Sequence, residues 1–263
     1  MRSERVGRWR EILPSGPWAR RKAALRVLFE EIAPDYDRLN HLLSFGLDRR
    51  WRARAAREAI GEDEPGTVLD LASGTGDQAS ALIKRSSRIR LLRVDISLPL
   101  LARATEKLRG ERRGSDGVSA PEQEALFPSG IPVVAEMESL PLRPGSCKAI
   151  TMAFALRHVE SLDRLLAVSA EALEPGGRLA FVDMSLPASG AWAAFYRFYF
   201  VRCLPRIARL FGGEKEAYDL MVRSVLAFPG WEALEGAARG AGLREVRTIA
   251  LTGGAARILT ARR

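Results

Sequence analysis

The chain has 263 residues, of which 47% are hydrophobic, and it carries 41 Lys and Arg against 32 Asp and Glu for a formal charge of +9. This suits a single α/β domain with a full core and additions, and the positive excess suits an anionic partner. Two cysteines, Cys147 and Cys203, exclude a disulfide framework. The start, Met1 to Arg8, lacks a signal peptide's apolar core, and no run reaches the ~18 apolar residues of a membrane span, so a cytoplasmic protein is predicted.

Residues 1–23 read as a basic lead-in; residues 1–30 hold eight Lys/Arg and three Glu, a local charge of +5. Ala24 to Arg57 reads as helical pieces punctuated by Pro34, Asn40 and Gly46. A strand is predicted over 67–71, a helix over 77–86, a strand over 89–94 and a helix over 98–109. Residues 110–130 lack periodicity and are rich in Gly, Ser, Pro and Glu, which predicts a flexible surface loop. Strands are expected over 131–135 and 147–154, a helix over 162–173, a turn at Pro175-Gly176-Gly177 and a strand over 178–183. A helical insertion over 186–230, a helix over 231–240 and strands over 244–250 and 255–261 complete the chain. Seven strands alternating with helices predict a mainly parallel sheet with helices on both faces, in one domain from residue 24 to 263.

The most informative segment is Val68-Leu69-Asp70-Leu71-Ala72-Ser73-Gly74-Thr75-Gly76-Asp77, an apolar strand running into a small-residue turn before a helix. The first strand-to-helix turn of a doubly wound sheet is where such folds hold nucleoside cofactors, and glycine lets the backbone approach them closely. A pyrophosphate would prefer G-x-G-x-x-G, but the third-glycine position here is Ala79, and carboxylates flank the loop at Asp70 and Asp77. Acid beside the ligand suits a cation. S-adenosylmethionine carries a sulfonium and an ammonium and no phosphate. Asp95 closes the second strand 95 − 76 = 19 residues after Gly76, the spacing at which an acid reaches a ribose diol, although an acid there also caps the next helix.

Between Leu186 and Gly213 lie four arginines (Arg197, Arg202, Arg206, Arg209), no acid, and Trp192, Phe195, Tyr196, Phe198, Tyr199 and Phe200. Arginine mixed with aromatics is an interfacial pattern, which would set the protein peripherally on the inner face of the cell membrane. A packed helix with solvated arginines is the plainer alternative. No nucleic-acid motif accompanies the segment, and a nucleic-acid partner is not expected; a homodimer stays open.

With these pieces placed, the chain resembles the quinone-biosynthesis C-methyltransferases that act on demethylmenaquinol and 2-polyprenyl-6-methoxy-1,4-benzoquinol, over residues 24–260. The resemblance rests on Val27 to Gly46 with Trp51-Arg52, on Leu69 to Asp77, on Asp95-Ile96-Ser97 and on Phe154-Ala155-Leu156-Arg157-His158-Val159. It rests also on Leu204-Pro205, Ala217-Tyr218, Ser224-Val225 and Phe228-Pro229 in the insertion. It implies a Rossmann-like class I methyltransferase fold, S-adenosylmethionine as methyl donor and a polyprenyl quinol as partner. Asp70 and the loop Gly74-Thr75-Gly76 would lie along the methionine part of the donor, Asp95 would take the ribose, and Glu136 and Met137 would flank the adenine. The family more often has Asn or Asp and then Ala at those last two positions, Ser where Ala153 stands, and Asn where His158 stands.

Methylating a quinol carbon requires alignment with the methyl group and loss of a ring hydroxyl proton. Tyr36, Asp37, Arg157 and His158 are the candidates the resemblance brings. Arg157 would stabilise a phenolate or position a water, and His158, whose imidazole type titrates near neutrality, would accept the proton directly or through water or else fill an Asn site structurally. His41 is read as structural and no metal is expected. A methyltransferase of another apolar acceptor and a non-catalytic quinone-binding scaffold remain open at this point. Residues 191–211, with the N-terminal helix, are expected to cover the acceptor pocket and touch the membrane.

Overall fold

The computed structural model describes residues 18–114, 129–211 and 215–263, with the side chains of 18–21, 34–36, 112–114 and 215–216 excepted. Helices α1 (Trp18–Leu43) and α2 (Leu47–Ala59) precede β1 (Gly66–Leu71), α3 (Asp77–Arg85), β2 (Ile89–Asp95), α4 (Leu98–Gly114) and β3 (Ile131–Val134). Then come β4 (Cys147–Ala153), a 3₁₀ turn (Leu156–His158), α5 (Leu162–Ala172) and β5 (Leu173–Met184). The insertion holds α6 (Gly190–Phe198), a π turn (Tyr199–Cys203), α7 (Leu204–Leu210) and α8 (Lys215–Leu226), before α9 (Trp231–Gly240), β6 (Arg244–Leu251) and β7 (Ala256–Arg262).

The seven strands form one sheet in the order β3-β2-β1-β4-β5-β7-β6. Strands β1 to β5 pair in parallel and β7 runs antiparallel between β5 and β6. Side chains alternate across the sheet: Leu69, Leu71, Phe181 and Leu259 pack on the face covered by α5 and α9, while Val68, Ala180, Val182 and Ile258 pack towards α2, α3 and α4. On α2 the buried residues Asp48, Trp51, Ala55 and Ala59 recur at three- and four-residue steps, and the alanines let the helix lie close to the sheet. Strand order reverses at β1, with β2 on one side and β4 on the other, so a crevice opens at their carboxyl ends.

Three expectations are corrected. The lead-in does not extend to residue 23, because α1 begins at Trp18 and already buries Leu25 and Leu28. Pro34 and Asn40 do not break the first segment. Burial of Leu28, Ala33, Leu39 and Leu43 on α1 outweighs local propensity, and the chain turns at Phe45 and Gly46, at φ 53° and 71°. The helix after β2 runs on to Gly114, since Glu111 accepts from Ser80 Oγ at 2.5 Å and pairs with Lys84 Nζ at 3.0 Å, tying the extra turn to α3. The rest of the expected loop, 115–128, lies outside the described residues, as do residues 1–17.

The insertion is helical as expected and packs on the end of α1, with Leu39 and Leu43 meeting Phe200, Leu204, Ala208, Tyr218, Val222 and Val225. Pro205 has no N–H to offer the preceding turn, and the helix widens into the π turn just before it. Tyr199 Oη donates to the Leu43 carbonyl at 2.7 Å, fixing the insertion to α1. Among the described residues no helix is long and apolar enough to cross a membrane.

Candidate active site

The crevice holds a cavity of about 150 Å³ whose wall includes Gly74, Thr75, Asp95, Glu136, Met137 and His158. The turn after β1 is shaped by positive φ at Ala72 (50°), Gly74 (54°) and Gly76 (90°), and Ser73 N donates to the Val94 carbonyl at 3.0 Å. Asp95 organises the opposite lip: Oδ2 accepts from Gly74 N at 2.9 Å and Oδ1 from Ser97 N at 2.9 Å. Burial pushes the Asp95 carboxyl above the usual range; the backbone N–H donors oppose this and Glu30 adds to it. Glu30 itself accepts from Ser97 Oγ at 2.7 Å.

Asp70 and Gly76, expected along the donor, sit behind this wall. Asp70 is fully buried, accepts from Thr151 Oγ1 at 3.1 Å, and its Oδ2 has no partner among the described residues. Desolvation drives its carboxyl up to about 6 despite the neighbouring Ser73 and Thr151 hydroxyls and the nearby Arg52 and Arg93. Gly76 leaves room for α4, since a Cβ there would stand 2.9 Å from Ala104 Cβ. Both residues shape the loop rather than line its pocket.

Helix α1 closes the crevice from above. Asp37 accepts from Thr75 Oγ1 at 2.6 Å and from Lys107 Nζ at 2.8 Å, so it lies in neither cavity wall but clamps α1 to the glycine loop. Lys22 pairs with Glu136, and Phe29 meets the His158 ring edge-on with centroids 5.4 Å apart. Tyr36 lies on α1, and its side chain is outside the described residues.

Beneath this clamp, His41 Nδ1 contacts Asp48 Oδ2 at 2.6 Å, Ser44 Oγ donates to Asp48 Oδ1 at 2.7 Å, and His41 Nε2 stands 3.7 Å from Asp77 Oδ2. His41 thus has the structural partners expected of it. Asp77 also pairs with Lys107. Burial pushes Asp77 up, but Arg52, Lys107 and His41 together hold it below the usual carboxylate range, while Asp77 and Asp37 raise Lys107 against desolvation. The ligand atoms of His41, Asp48 and Asp77 lie within 4.8 Å of one another, yet Arg52 and Lys107 already place cations there, a poor setting for a metal ion.

A second cavity of about 50 Å³ adjoins the first and shares Phe29, Arg52, Phe154 and His158 with it. Its remaining wall is largely apolar, with Leu28, Ile32, Met184, Ala217 and Leu220, and includes Tyr218 and Arg157. Phe154 is held at φ 62° by its N–H bond to the Val182 carbonyl (2.8 Å) and forms the partition. Arg157, expected at the acceptor, lines this cavity, with its nitrogens engaged by the scaffold: Nε donates to Asp183 Oδ1 at 2.8 Å, Nη1 to Ser224 Oγ at 2.9 Å and Nη2 to the Phe154 carbonyl at 3.3 Å. It holds the partition to β5 and α8. Lys22, Phe29, Glu30 and Lys107 received no role from the sequence, because their partners lie far along the chain.

The wall fits a cationic nucleoside. Among the described residues, its cations Lys22 and Arg26 each face a carboxylate (Glu136 and, at 3.8 Å, Glu30) and Arg52 sits at the junction with the second cavity, so no cluster of bare cations awaits a phosphate, and Asp95 lies on the lip at the end of β2. This sheet order and this acid-tipped crevice define a class I methyltransferase that uses S-adenosylmethionine.

The model of the ubiE/COQ5 methyltransferase family matches residues 19–263, and the chain belongs to that family. It is 40% identical over 231 residues to the demethylmenaquinone methyltransferase of Thermus thermophilus, covering 88% of this chain and 97% of the relative. It is 38% identical to the ubiquinone/menaquinone biosynthesis C-methyltransferase UbiE of Syntrophotalea carbinolica, covering 87% and 90%. Among solved structures, a SAM-dependent methyltransferase from Thermotoga maritima, described as a possible histamine N-methyltransferase, shares the fold at TM-score 0.56 and 16% identity, covering 90% of this chain and 98% of that one.

Proposed function

We propose that the protein methylates a ring carbon of a demethylated polyprenyl quinol, demethylmenaquinol or 2-polyprenyl-6-methoxy-1,4-benzoquinol. The observation that carries this reading is the pair of adjoining cavities, one acid-lipped and one largely apolar, that share Phe154, His158, Phe29 and Arg52 in their walls. The relatives from Thermus thermophilus and Deinococcus radiodurans, 40% and 37% identical, are named for demethylmenaquinone, which makes demethylmenaquinol the first acceptor to test.

When bound, S-adenosylmethionine supplies an electrophilic methyl group. Asp95 would accept from the ribose hydroxyls and Glu136 from the adenine amino group, and Gly74 and Thr75 would hold the amino-acid end. His158, on the wall of both cavities, takes the proton of the ring hydroxyl directly or through water. The apolar second cavity aligns the ring and excludes water, and Arg157 keeps its partition in place.

A polyprenyl acceptor is nearly insoluble and is collected from a bilayer. Phe195, Phe198, Leu210 and Phe211 on the insertion are 61%, 60%, 82% and 54% exposed. Phe45 at the α1–α2 turn is 77% exposed and meets Tyr199 of the insertion at a tilt, with centroids 5.8 Å apart, and Arg202, Arg206 and Arg209 of the insertion are exposed. This face supports peripheral docking on an anionic membrane. Incubation with labelled S-adenosylmethionine and each demethylated quinol, followed by chromatography of the lipid extract, tests the function. Label in one quinol is expected, and its absence from both overturns the reading.

A further inference from the structure

Arg52 stands where the two cavities meet. It leaves α2 beside Trp51, and its guanidinium carbon lies 4.6 Å from the centroid of the Phe154 ring. Both residues line both cavities. Its carboxylate neighbours keep their distance: Nε is 3.9 Å from Asp48 Oδ2 and Nη2 is 3.9 Å from Asp77 Oδ2. Those carboxylates have nearer partners, Asp48 in His41 and Ser44 and Asp77 in Lys107. The Arg52 Nε is buried without a hydrogen-bond partner among the described residues. A buried cationic N–H left without a hydrogen-bond acceptor is costly to keep and calls for a reason. Arg157, the other guanidinium on the acceptor cavity, donates from all three of its nitrogens. One guanidinium is spent on the scaffold. The other is held by ring stacking and charge alone, and its planar fork suits an anionic oxygen.

We propose that Arg52 is a catalytic residue that receives the deprotonated ring oxygen of the aromatic acceptor, an assignment that rests on the quinol reading above. The acceptor's O–H bond breaks heterolytically, the proton passing to His158 or to water and the electron pair staying on oxygen. No oxidation or reduction occurs. The phenolate lies against the guanidinium, which lowers the cost of the charge that makes the ring carbon nucleophilic. Other charges near Arg52 are these: Lys107 serves Asp77 and Asp37, His41 serves Asp48, Arg157 serves Asp183, and Arg52 itself acts at longer range on Asp77 and, with Arg93, on Asp70 behind the wall. The Phe154 ring, itself fixed by the bonds to Val182 and Arg157, holds the guanidinium plane.

The test uses the full chain and 4-methoxy-1-naphthol, a naphthoquinol monoether whose ionised form absorbs at longer wavelength, titrated by absorbance free and bound. Bound to the native protein it should ionise about 1–2 pH units lower than free, as expected of an opposite charge a few ångströms away. In Arg52→Gln the bound and free values should coincide, with circular dichroism and a thermal melt confirming the fold. A native value in Arg52→Gln, or no binding of the probe to the native chain, overturns the proposal. If Arg52→Gln does not fold, Arg52→Lys decides: a bound value between the native and free ones supports the assignment, and the native value overturns it. The titration needs no methyl transfer. A native chain that lowers the probe's ionisation through Arg52 but labels neither quinol overturns the quinol reading alone; one that labels a quinol with the probe's ionisation unaltered overturns the Arg52 role alone.

Discussion

Asp37 accepts the Thr75 hydroxyl at 2.6 Å across thirty-eight positions of sequence, and through that bond α1 is fastened to the turn between β1 and α3. Lys107 joins the same carboxylate at 2.8 Å. The crevice at the end of β1 is therefore roofed by an element outside the sheet. Asp37→Ala should weaken S-adenosylmethionine binding by roughly tenfold, the loss of one charge-assisted bond of about 1.5 kcal/mol after allowance for partial exposure. Calorimetry checks this, and an unaltered affinity would detach α1 from donor binding.

Asp95 joins both halves of the crevice, with one oxygen on Gly74 N and the other on Ser97 N. Asp95→Asn replaces one acceptor by an amide donor facing a backbone N–H. Donor affinity should fall by at least about tenfold, with a loss of stability of about 1–3 kcal/mol. Parallel calorimetry and thermal melts measure the two effects. An intact melting temperature with intact affinity would contradict the account.

The buried Asp70 makes a pH prediction. Its native carboxyl sits at about 6 against an ordinary 3.8, so the folded state holds a proton that the unfolded chain has released. Stability from this group is therefore present below the ordinary value and is lost as pH rises from about 4 through about 6. Asp77, Glu64 and Glu111 are shifted the other way and lose stability as pH falls. The difference between the native and Asp70→Asn urea profiles isolates Asp70: the native chain should lose ground on the variant as pH climbs through that window. Parallel profiles would exclude this role.

His158 lines both cavities and meets Phe29 edge-on. If it takes the ring proton, His158→Ala and His158→Asn should both lose the acidic limb of the kcat/KM profile, and the rate should drop by about 10²-fold or more, the contribution of a positioned base. Unaltered pH–rate profiles in both variants would remove His158 from proton transfer.

Much of this architecture was legible in the chain. All seven strands include the apolar runs that placed them, and the Gly76–Asp95 spacing located the crevice at the ends of β1 and β2. Strand β5, however, starts at Leu173 and takes in Pro175-Gly176-Gly177, expected as a turn, because Cys147 pairs with Leu173 ahead of the Ala149–Arg178 register. Periodicity and turn chemistry are local and survive in sequence. What was not legible depends on contacts between distant residues. A strand-end carboxylate reads alike whether it lines a pocket, as Asp95 does, or lies beneath it, as Asp70 does. Arg157 looked available until Asp183 and Ser224, 26 and 67 positions away, were seen to occupy it. Pro34 marks a break in most sequences, but the apolar residues that α1 buries keep the helix running.

The exposed arginines of the insertion make the docking face sensitive to charge. Arg206→Glu with Arg209→Glu should reduce binding to anionic vesicles by roughly tenfold or more at low salt, since each basic residue near such a surface contributes about 1 kcal/mol. Neutral vesicles should show little difference. Flotation assays check both, and equal recovery of variant and native protein would place the membrane contact elsewhere.

The central claim is that an acid-lipped donor pocket faces a ring carbon across the Phe154 partition. The direct measurement is nuclear magnetic resonance of the lipid product formed from demethylmenaquinol and S-adenosylmethionine bearing a heavy-isotope methyl group. The account predicts the label on a ring carbon beside a quinol oxygen. A label carried on oxygen, or a quinol recovered without label, would contradict it.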